Sequence, residues 1–479
     1  MKKVTLFLFL LLLSFAGLTV NGQPSKQFKA GAAKSNITPS IGTSINGSFN
    51  SNSVKDVHDE TYARCIVLDD GDKRLAFVVA DLCVIGENEV DIAKLKANKF
   101  TDIPVENILV SATHTHSGGT ACSVFQNDPD SAYLSFLSER IGDAIIRANN
   151  NLEPARVGWA IGSEPNEVFN RRWKMKPGTP MVNPFGENDK VVMNPGVANP
   201  ALLEPAGPVD PQVYVLSIQS SDGKPLALLA NYSLHYVGGV GSGAVSADYF
   251  GMFAKRVEEL LGQTKSNSEF IAIMSNGTSG DINNINWGGE KTNPLAPYFK
   301  MKQVADRIAD VAINSIQGLK YQEWVRLGSE QEQLVLKVRK PSSSEVKRAN
   351  EIISKAEGPQ MKTRDEVYAR ETVLINKYPD QVTILLQSLN IGDLVINAIP
   401  AEVFVEIGLE LKQKSPFKST FNISLANGYY GYLPTPAHHK LGGYETWRAR
   451  SSFLEVDAST KITSVLFRLM NKLKQQGNN

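Results

Sequence analysis

Three cysteines in 479 residues are too few for a disulfide scaffold. Cys65, Cys83 and Cys122 are an odd set that allows at most one disulfide, and no pair has zinc-finger or zinc-ribbon spacing. Cys65 and Cys83 lie in apolar runs, which argues for buried free thiols. An excess of charge is also missing. Fifty basic residues face 49 acidic ones, for a formal net charge of +1. No basic block and no aromatic–basic interleaving is present, so nothing supports nucleic acid as a partner. There is no internal repeat and no low-complexity linker. Past Val20, no run approaches the ~20 apolar residues that a membrane span requires.

The one long apolar run is Val4 to Val20, directly behind Met1-Lys2-Lys3. A short basic start, an apolar stretch and small residues after it describe a signal peptide over residues 1–22. Val20 and Gly22 suit the −3 and −1 positions of a cleavage near Gly22-Gln23. No cysteine follows that would take a lipid. The expectation is an exported protein, periplasmic or extracellular, from a bacterium, with no stable membrane anchor after cleavage.

Apolar residues at 42% and charged residues at 21% describe an ordinary globular protein, long enough for a large core. Apolar periodicity predicts strands over 63–68, 74–82, 108–110, 213–219, 227–232, 270–274, 383–389 and 394–399. It predicts helices over 87–99, 132–149, 249–261, 298–318, 402–412 and 459–475. The alternation argues for an α/β or mixed α+β fold, read as one large domain over 24–479. Residues 151–210 are rich in Pro, Asn and Gly and read as one long irregular loop. Residues 342–378 read as a polar helical pair broken near Gly358-Pro359, a solvated surface insertion.

Chemistry-bearing residues gather where apolar strands run out. His114 and His116 follow Ile108–Val110, and strand alternation would point both the same way. His235 follows 227–234, Gly280-Asp281 follows 271–274, and Glu402 follows 395–400. Loops at strand ends are where sites are built on such scaffolds. Each residue alone is more often structural. Together, two imidazoles and a carboxylate suit zinc with a position left open for water.

These residues resemble the neutral ceramidases, and more broadly ceramidase-like secreted zinc hydrolases. The likeness runs from about Gly31 to Lys474. Its most specific piece is Ser111-Ala112-Thr113-His114-Thr115-His116-Ser117-Gly118, which looks like the family's zinc-ligand motif. Val57-His58 through Ala63-Arg64 and Val79-Ala80-Asp81 resemble the preceding hairpin, and Phe169-Asn170-Arg171 the family's Asn-Arg element. Leu234-His235 looks like the second zinc histidine, with Ser246-Ala247-Asp248 just after it. Ile399-Pro400-Ala401-Glu402 resembles the segment that supplies the zinc glutamate, with Ala401 in place of a glycine. Tyr432 in Ala426–Tyr432 and Tyr444 in Gly443-Tyr444-Glu445 stand twelve residues apart, as the family's two site tyrosines do.

The resemblance implies one zinc ion per chain, held by His114, His235 and Glu402 with Tyr432 at or near it. It implies attack of zinc-bound water on the amide of an N-acyl lipid such as ceramide. His116 or Asp281 would handle the proton, and Arg171, Tyr444 and the Asn283 amide would bind substrate or the developing oxyanion. Two departures bear on this. The serine associated with catalysis in the family falls on Asn283, which offers no hydroxyl nucleophile, and Thr278 and Ser279 are near but do not align. No counterpart of the family's immunoglobulin-like C-terminal domain is expected after the closing helix. The alternatives are the same zinc site acting on a glycan, ester or peptide-like amide, and a binding protein that kept the fold without the chemistry. The partner is a small-molecule or lipid substrate, with a glycoconjugate as the variant.

Overall fold

A computed structural model describes residues 26–263 and 270–477. The expected signal peptide, residues 1–22, lies outside the described residues. Eight strands form the main sheet: β1 (Lys29–Asn36), β2 (Tyr62–Asp69), β3 (Arg74–Ala80), β4 (Ile108–Ala112), β5 (Glu153–Ser163), β6 (Gln212–Ser220), β7 (Pro225–Tyr232) and β8 (Ile271–Asn276). Their spatial order is β8-β7-β6-β5-β1-β2-β3-β4. Neighbours are antiparallel except at the two edges, where β3 pairs parallel with β4 and β7 with β8. Each parallel pair needs a crossover. α1 (Glu87–Thr101) supplies the first and α3 (Asp248–Leu260) the second.

A second, four-stranded sheet runs β9 (Leu327–Lys337), β10 (Gln381–Ile391), β11 (Leu394–Ala398) and β12 (Ser419–Ile423). Alternation along β2 explains how the sheets stack. Ile66 and Leu68 point inward and pack with Leu389, Ile396 and Phe421 of the second sheet. Cys65 and Val67 point outward, under α1 and α2 (Ser131–Asn150). Both faces are buried, so the strand reads as a continuous apolar run rather than an alternating one. α3 and α4 (Phe299–Ser315) cover the other half of the large sheet. α7 (Val405–Gln413) and α8 (Ala458–Gly477) cover the outside of the small one. The result is the mixed α/β architecture expected from the sequence, in four layers. Among the described residues no helix is long and apolar enough to cross a membrane.

The large sheet curls so that its two edges meet. Asn276, at the end of β8, donates to the Thr113 carbonyl just past the end of β4, at 3.0 Å. Strand ends that are far apart in sheet order therefore open onto one place.

Three expectations need correction. The stretch 151–210 is not one irregular loop, because Glu153–Ser163 is an eleven-residue strand paired with β6 along its length. Ala155 and Val157 carry its apolar face, and Gly158 and Gly162 let helix α4 and the turn after it press close. A Cβ on Gly162 would stand 2.5 Å from Val311 Cγ1. Glu402 does not start a helix: Glu402–Val403 is a short strand parallel to Tyr432–Leu433, and α7 begins at Val405. Finally, strand alternation is not what aligns His114 with His116. β4 ends at Ala112, and His114 has a positive φ of 80°.

The polar pair over 342–378 is α5 (Ser343–Ile353) and α6 (Arg364–Asn376), each opened by a capping box. α5 buries only Ala349, whereas α6 buries Tyr368, Glu371 and Ile375 among others.

Candidate metal centre and cavity

His114 follows the edge strand β4, and His235 follows β7, the strand next to the opposite edge; the curl of the sheet brings the two rings into direct contact. The left-handed backbone at His114 turns its ring back under the Leu82-Cys83 segment, and its own N–H donates to the Leu82 carbonyl at 2.8 Å. The His114 Nδ1 lies 2.8 Å from the Cys83 carbonyl oxygen, and the His235 Nδ1 lies 3.1 Å from that of Ser279. A carbonyl only accepts, so both Nδ1 atoms carry hydrogen and both Nε2 atoms are left to bind something else. The two Nε2 atoms are 2.9 Å apart.

Glu402 closes the group. Its Oε2 faces His114 Nε2 at 3.3 Å and His235 Nε2 at 4.0 Å. Its Oε1 accepts from the Tyr429 hydroxyl at 3.0 Å. Oε2 is buried and receives no hydrogen bond among the described residues. An ionised carboxylate oxygen in that state is costly unless a cation faces it. The ligand atoms of His114, His235 and Glu402 all lie within 4.8 Å of one another. Two neutral imidazole nitrogens, a bare carboxylate oxygen and second hydrogen bonds that fix each ligand's orientation make a donor set that fits a zinc-type ion.

The electrostatics describe the same demand. Burial alone would lower His114, but the Glu402 carboxylate and Cys83 push it up to about 10. Burial and the charge on His114 hold His235 and His116 well below the ordinary imidazole value. Burial works against Glu402 ionisation, yet His114 and Arg171 keep its carboxyl low. The Glu402 carboxylate thus favours a cation at the His114 ring, and a metal ion there takes the place of the proton.

His116 stands beside this group, with Nε2 3.3 Å from His114 Nε2. Its ring stacks on Tyr236 at 3.6 Å, and on the other side the Gly47 backbone leaves no room for a Cβ. Arg171 is buried and multiply held. Its Nη2 donates to the Gly280 carbonyl at 2.6 Å and to the Tyr432 hydroxyl at 3.2 Å, and its Nη1 lies 3.4 Å from His235 Nε2. Its Nε pairs with Glu445 at 3.0 Å, whose other oxygen pairs with Arg172 at 2.7 Å. The guanidinium also lies over the Tyr444 ring at 5.1 Å.

A cavity of about 420 Å³ opens on this floor. His114, His116, His235, Glu402, Arg171 and Tyr432 line it, as do Tyr444 and Asn283. Asn283 already donates to Asn194 Oδ1 at 3.1 Å and accepts from the Ile285 N–H at 3.1 Å, which leaves one amide hydrogen free to face a ligand. Of the nine site residues expected from sequence, the structure brings eight to the cavity and leaves Asp281 behind it. The Asp281 oxygens accept from the Val405 N–H at 3.0 Å and Asn170 Nδ2 at 2.8 Å, and its carbonyl holds the Arg171 N–H at 2.9 Å. It is a positioning residue for Arg171 and α7, not a proton carrier to substrate. Burial and Glu406 push its carboxyl up to about 6.

Sequence reasoning missed Tyr236, Tyr429 and Glu445. Tyr236 and Glu445 directly follow His235 and Tyr444, and Tyr429 stands three residues before Tyr432, so nearness in sequence was their signal. Nothing in the spacing said which neighbour turns inward.

A sequence profile described as "Neutral/alkaline non-lysosomal ceramidase, N-terminal" matches residues 28–295. The neutral ceramidase of Drosophila pseudoobscura pseudoobscura is 32% identical over 178 residues, 34% of this chain and 24% of that protein. Neutral ceramidase B of Dictyostelium discoideum is 26% identical over 190 residues, 37% of this chain and 24% of that protein. The aligned stretches span about a quarter of the length of either relative. The crystal structure of neutral ceramidase from Pseudomonas aeruginosa superposes with a TM-score of 0.69 at 17% identity, covering 94% of this chain and 75% of that one. A structure described as "Ceramidase complexed with C2" gives 0.70 at 16% identity, covering 94% and 76%. At those identities the structural likeness is one of fold.

Proposed function

Because the chain belongs to the neutral/alkaline non-lysosomal ceramidase family, we propose that it hydrolyses the amide bond of an N-acyl lipid of the ceramide class, with a zinc ion at His114, His235 and Glu402. The observation that carries this reading is the pair of Nε2 atoms 2.9 Å apart beside the bare Glu402 Oε2, on the floor of a largely apolar cavity. Bound there, zinc supplies Lewis acidity to a substrate carbonyl and acidifies a water molecule.

The chain's own residues then have separate tasks. Tyr429 fixes Glu402 through Oε1 and so aims Oε2 at the histidines. Tyr432 joins the ligand group from the strand paired with Glu402–Val403. His116, kept neutral chiefly by burial, is placed to take a proton from the attacking water and return it to the leaving amine. Arg171 and Tyr444 donate toward the amide oxygen as it gains charge, and the Asn283 amide hydrogen adds a third contact. No covalent step runs through Asn283, because a carboxamide is not a nucleophile of the hydroxyl type. We also propose export to the periplasm or beyond, supported by the leader pattern over residues 1–22.

The test is turnover by the purified protein on a panel of ceramides, N-acyl amino-sugar glycoconjugates and lipid esters. The expected result is fatty acid released from ceramide and suppressed by a chelator. Release from glycoconjugates or esters with none from ceramide favours the second reading, which Asn283 keeps open. No hydrolysis of any panel member by zinc-loaded protein removes the enzyme reading.

A further inference from the structure

The apolar end of the cavity is closed by two phenylalanines from separate loops. Phe49 and Phe125 stand with ring centroids 4.5 Å apart, and Phe49 is 45% exposed, so the pair sits at the rim. Two aromatic rings set side by side at the mouth of a cavity form a contiguous apolar surface of the kind that takes a ligand's chain. A cavity of about 420 Å³ is in the lower part of the range that holds small ligands, so a longer chain must leave over the rim.

The rim is built rigidly. Phe125 holds a left-handed backbone, φ 49°, which an aromatic residue adopts only under constraint. The constraint comes from two sides. Toward the other loop, Asn46 Nδ2 donates to the Cys122 carbonyl at 2.9 Å, Gln126 Nε2 to that of Phe49 at 3.0 Å, and Asn127 Nδ2 to that of Ser48 at 2.7 Å. Toward the helical pair, Gln126 and Met361 exchange two hydrogen bonds, 3.0 and 2.8 Å. Arg370 Nη1 donates to the Phe125 carbonyl at 2.6 Å, and Arg450, itself ion-paired to the fully buried Glu371, donates to the same oxygen. The Tyr368 ring of α6 packs edge-on against Phe125 at 6.2 Å. So many bonds to one short turn are more than a surface insertion needs for itself.

We propose that Phe49 and Phe125 form an apolar lip that selects substrates by the chain they carry across it, and that α6 sets the lip through Arg370 and Glu371. This rests on the hydrolase reading above. Phe125 and Phe49 are specificity-determining residues, and Arg370 is a positioning residue. The same loop presses Gly47 onto His116, so a chain lying on the lip is registered against the reacting end of the cavity.

The experiment compares kcat/KM for N-palmitoyl-sphingosine with that for an analogue whose two arms are cut to a few carbons, in wild type, Phe125→Ala and Arg370→Ala. Loss of a half-buried phenyl contact predicts about a tenfold fall on the long-chain substrate for Phe125→Ala, mostly in KM, with the truncated analogue unchanged. Arg370→Ala, which touches no ligand, is expected to reproduce the long-chain loss in weaker form. Equal losses on both substrates, or none on either, overturn the proposal. Binding of a pyrene-labelled fatty acid is measured alongside. If wild type hydrolyses neither substrate, the hydrolase reading fails, and the lip is then decided by whether Phe125→Ala weakens that binding.

Discussion

At Glu402 the protein fixes one carboxylate oxygen and leaves the other bare. Tyr429 donates to Oε1 at 3.0 Å, while Oε2 is buried with no donor. A hydrogen bond to a ligand's far atom orients the ligand and raises its affinity for metal, typically 10–100-fold. Tyr429→Phe keeps the ring and removes the hydroxyl. Zinc affinity measured against a chromophoric competitor is expected to fall by about that factor, and an unchanged affinity would contradict the role. Glu445 makes a different kind of demand. It is fully buried and pairs with both Arg171 and Arg172. Glu445→Gln leaves two buried guanidinium groups short of charge, and the expected loss is about 3–5 kcal/mol of stability, read by urea denaturation. His114, His116, His235 and Glu402 were legible in the sequence because each ends an apolar run. Asp281 obeyed the same rule and turned away, since its two oxygens satisfy backbone and Asn170 donors behind the site.

The elements explain why residues so far apart in sequence converge. β4 and β8 are opposite edges of the large sheet, and its curl brings their ends together at Thr113 and Asn276. Gly280 then bridges to the Glu402 strand. Its N–H donates to the Val403 carbonyl at 2.8 Å, and a Cβ there would stand 2.7 Å from the Glu402 carbonyl oxygen. That contact is backbone, so it cannot be relieved by a rotamer change. Gly280→Ala is expected to displace the Glu402 strand, costing about 1–3 kcal/mol of stability and most of the turnover. Full turnover with unchanged stability would show that the strand has slack. The strands of the core were visible as apolar runs because both faces are covered. Strand β5 was not, because its two glycines and its Pro154 resemble loop composition, although they exist to let α4 approach. The short strand at Glu402 was hidden by Pro400 just ahead of it, which imitates a helix start.

Across the whole molecule, two sheets share one core and helices close both outer faces, with the cavity opening where strand ends meet. α6 ties the helical pair into that opening through Phe125, a long-range contact that no local pattern could announce. One polar residue in this frame makes a pH-dependent cost. Lys94 in α1 is buried, and burial lowers its amine to about 8, against which Asp91 and Glu87 act only partly. Between about 8 and the unfolded value near 10.4 the unfolded chain holds a proton that the folded chain has released, so stability rises with pH over that window. Below about 8 the full cost of the buried ammonium applies, about 3 kcal/mol at most. Lys94→Met is expected to raise the denaturation midpoint at pH 7 and to flatten the rise between pH 8 and 10. A variant whose profile parallels wild type would mean that the amine reaches water.

The central claim is that His114, His235 and Glu402 hold one metal ion on which turnover depends. Its most direct test is metal content per chain by mass spectrometry, measured with ceramide turnover on the same samples of wild type and His235→Ala. The account predicts one zinc per wild-type chain, and in His235→Ala the loss of both zinc and turnover with the fold intact by circular dichroism. Wild-type turnover from a zinc-free His235→Ala protein would contradict it.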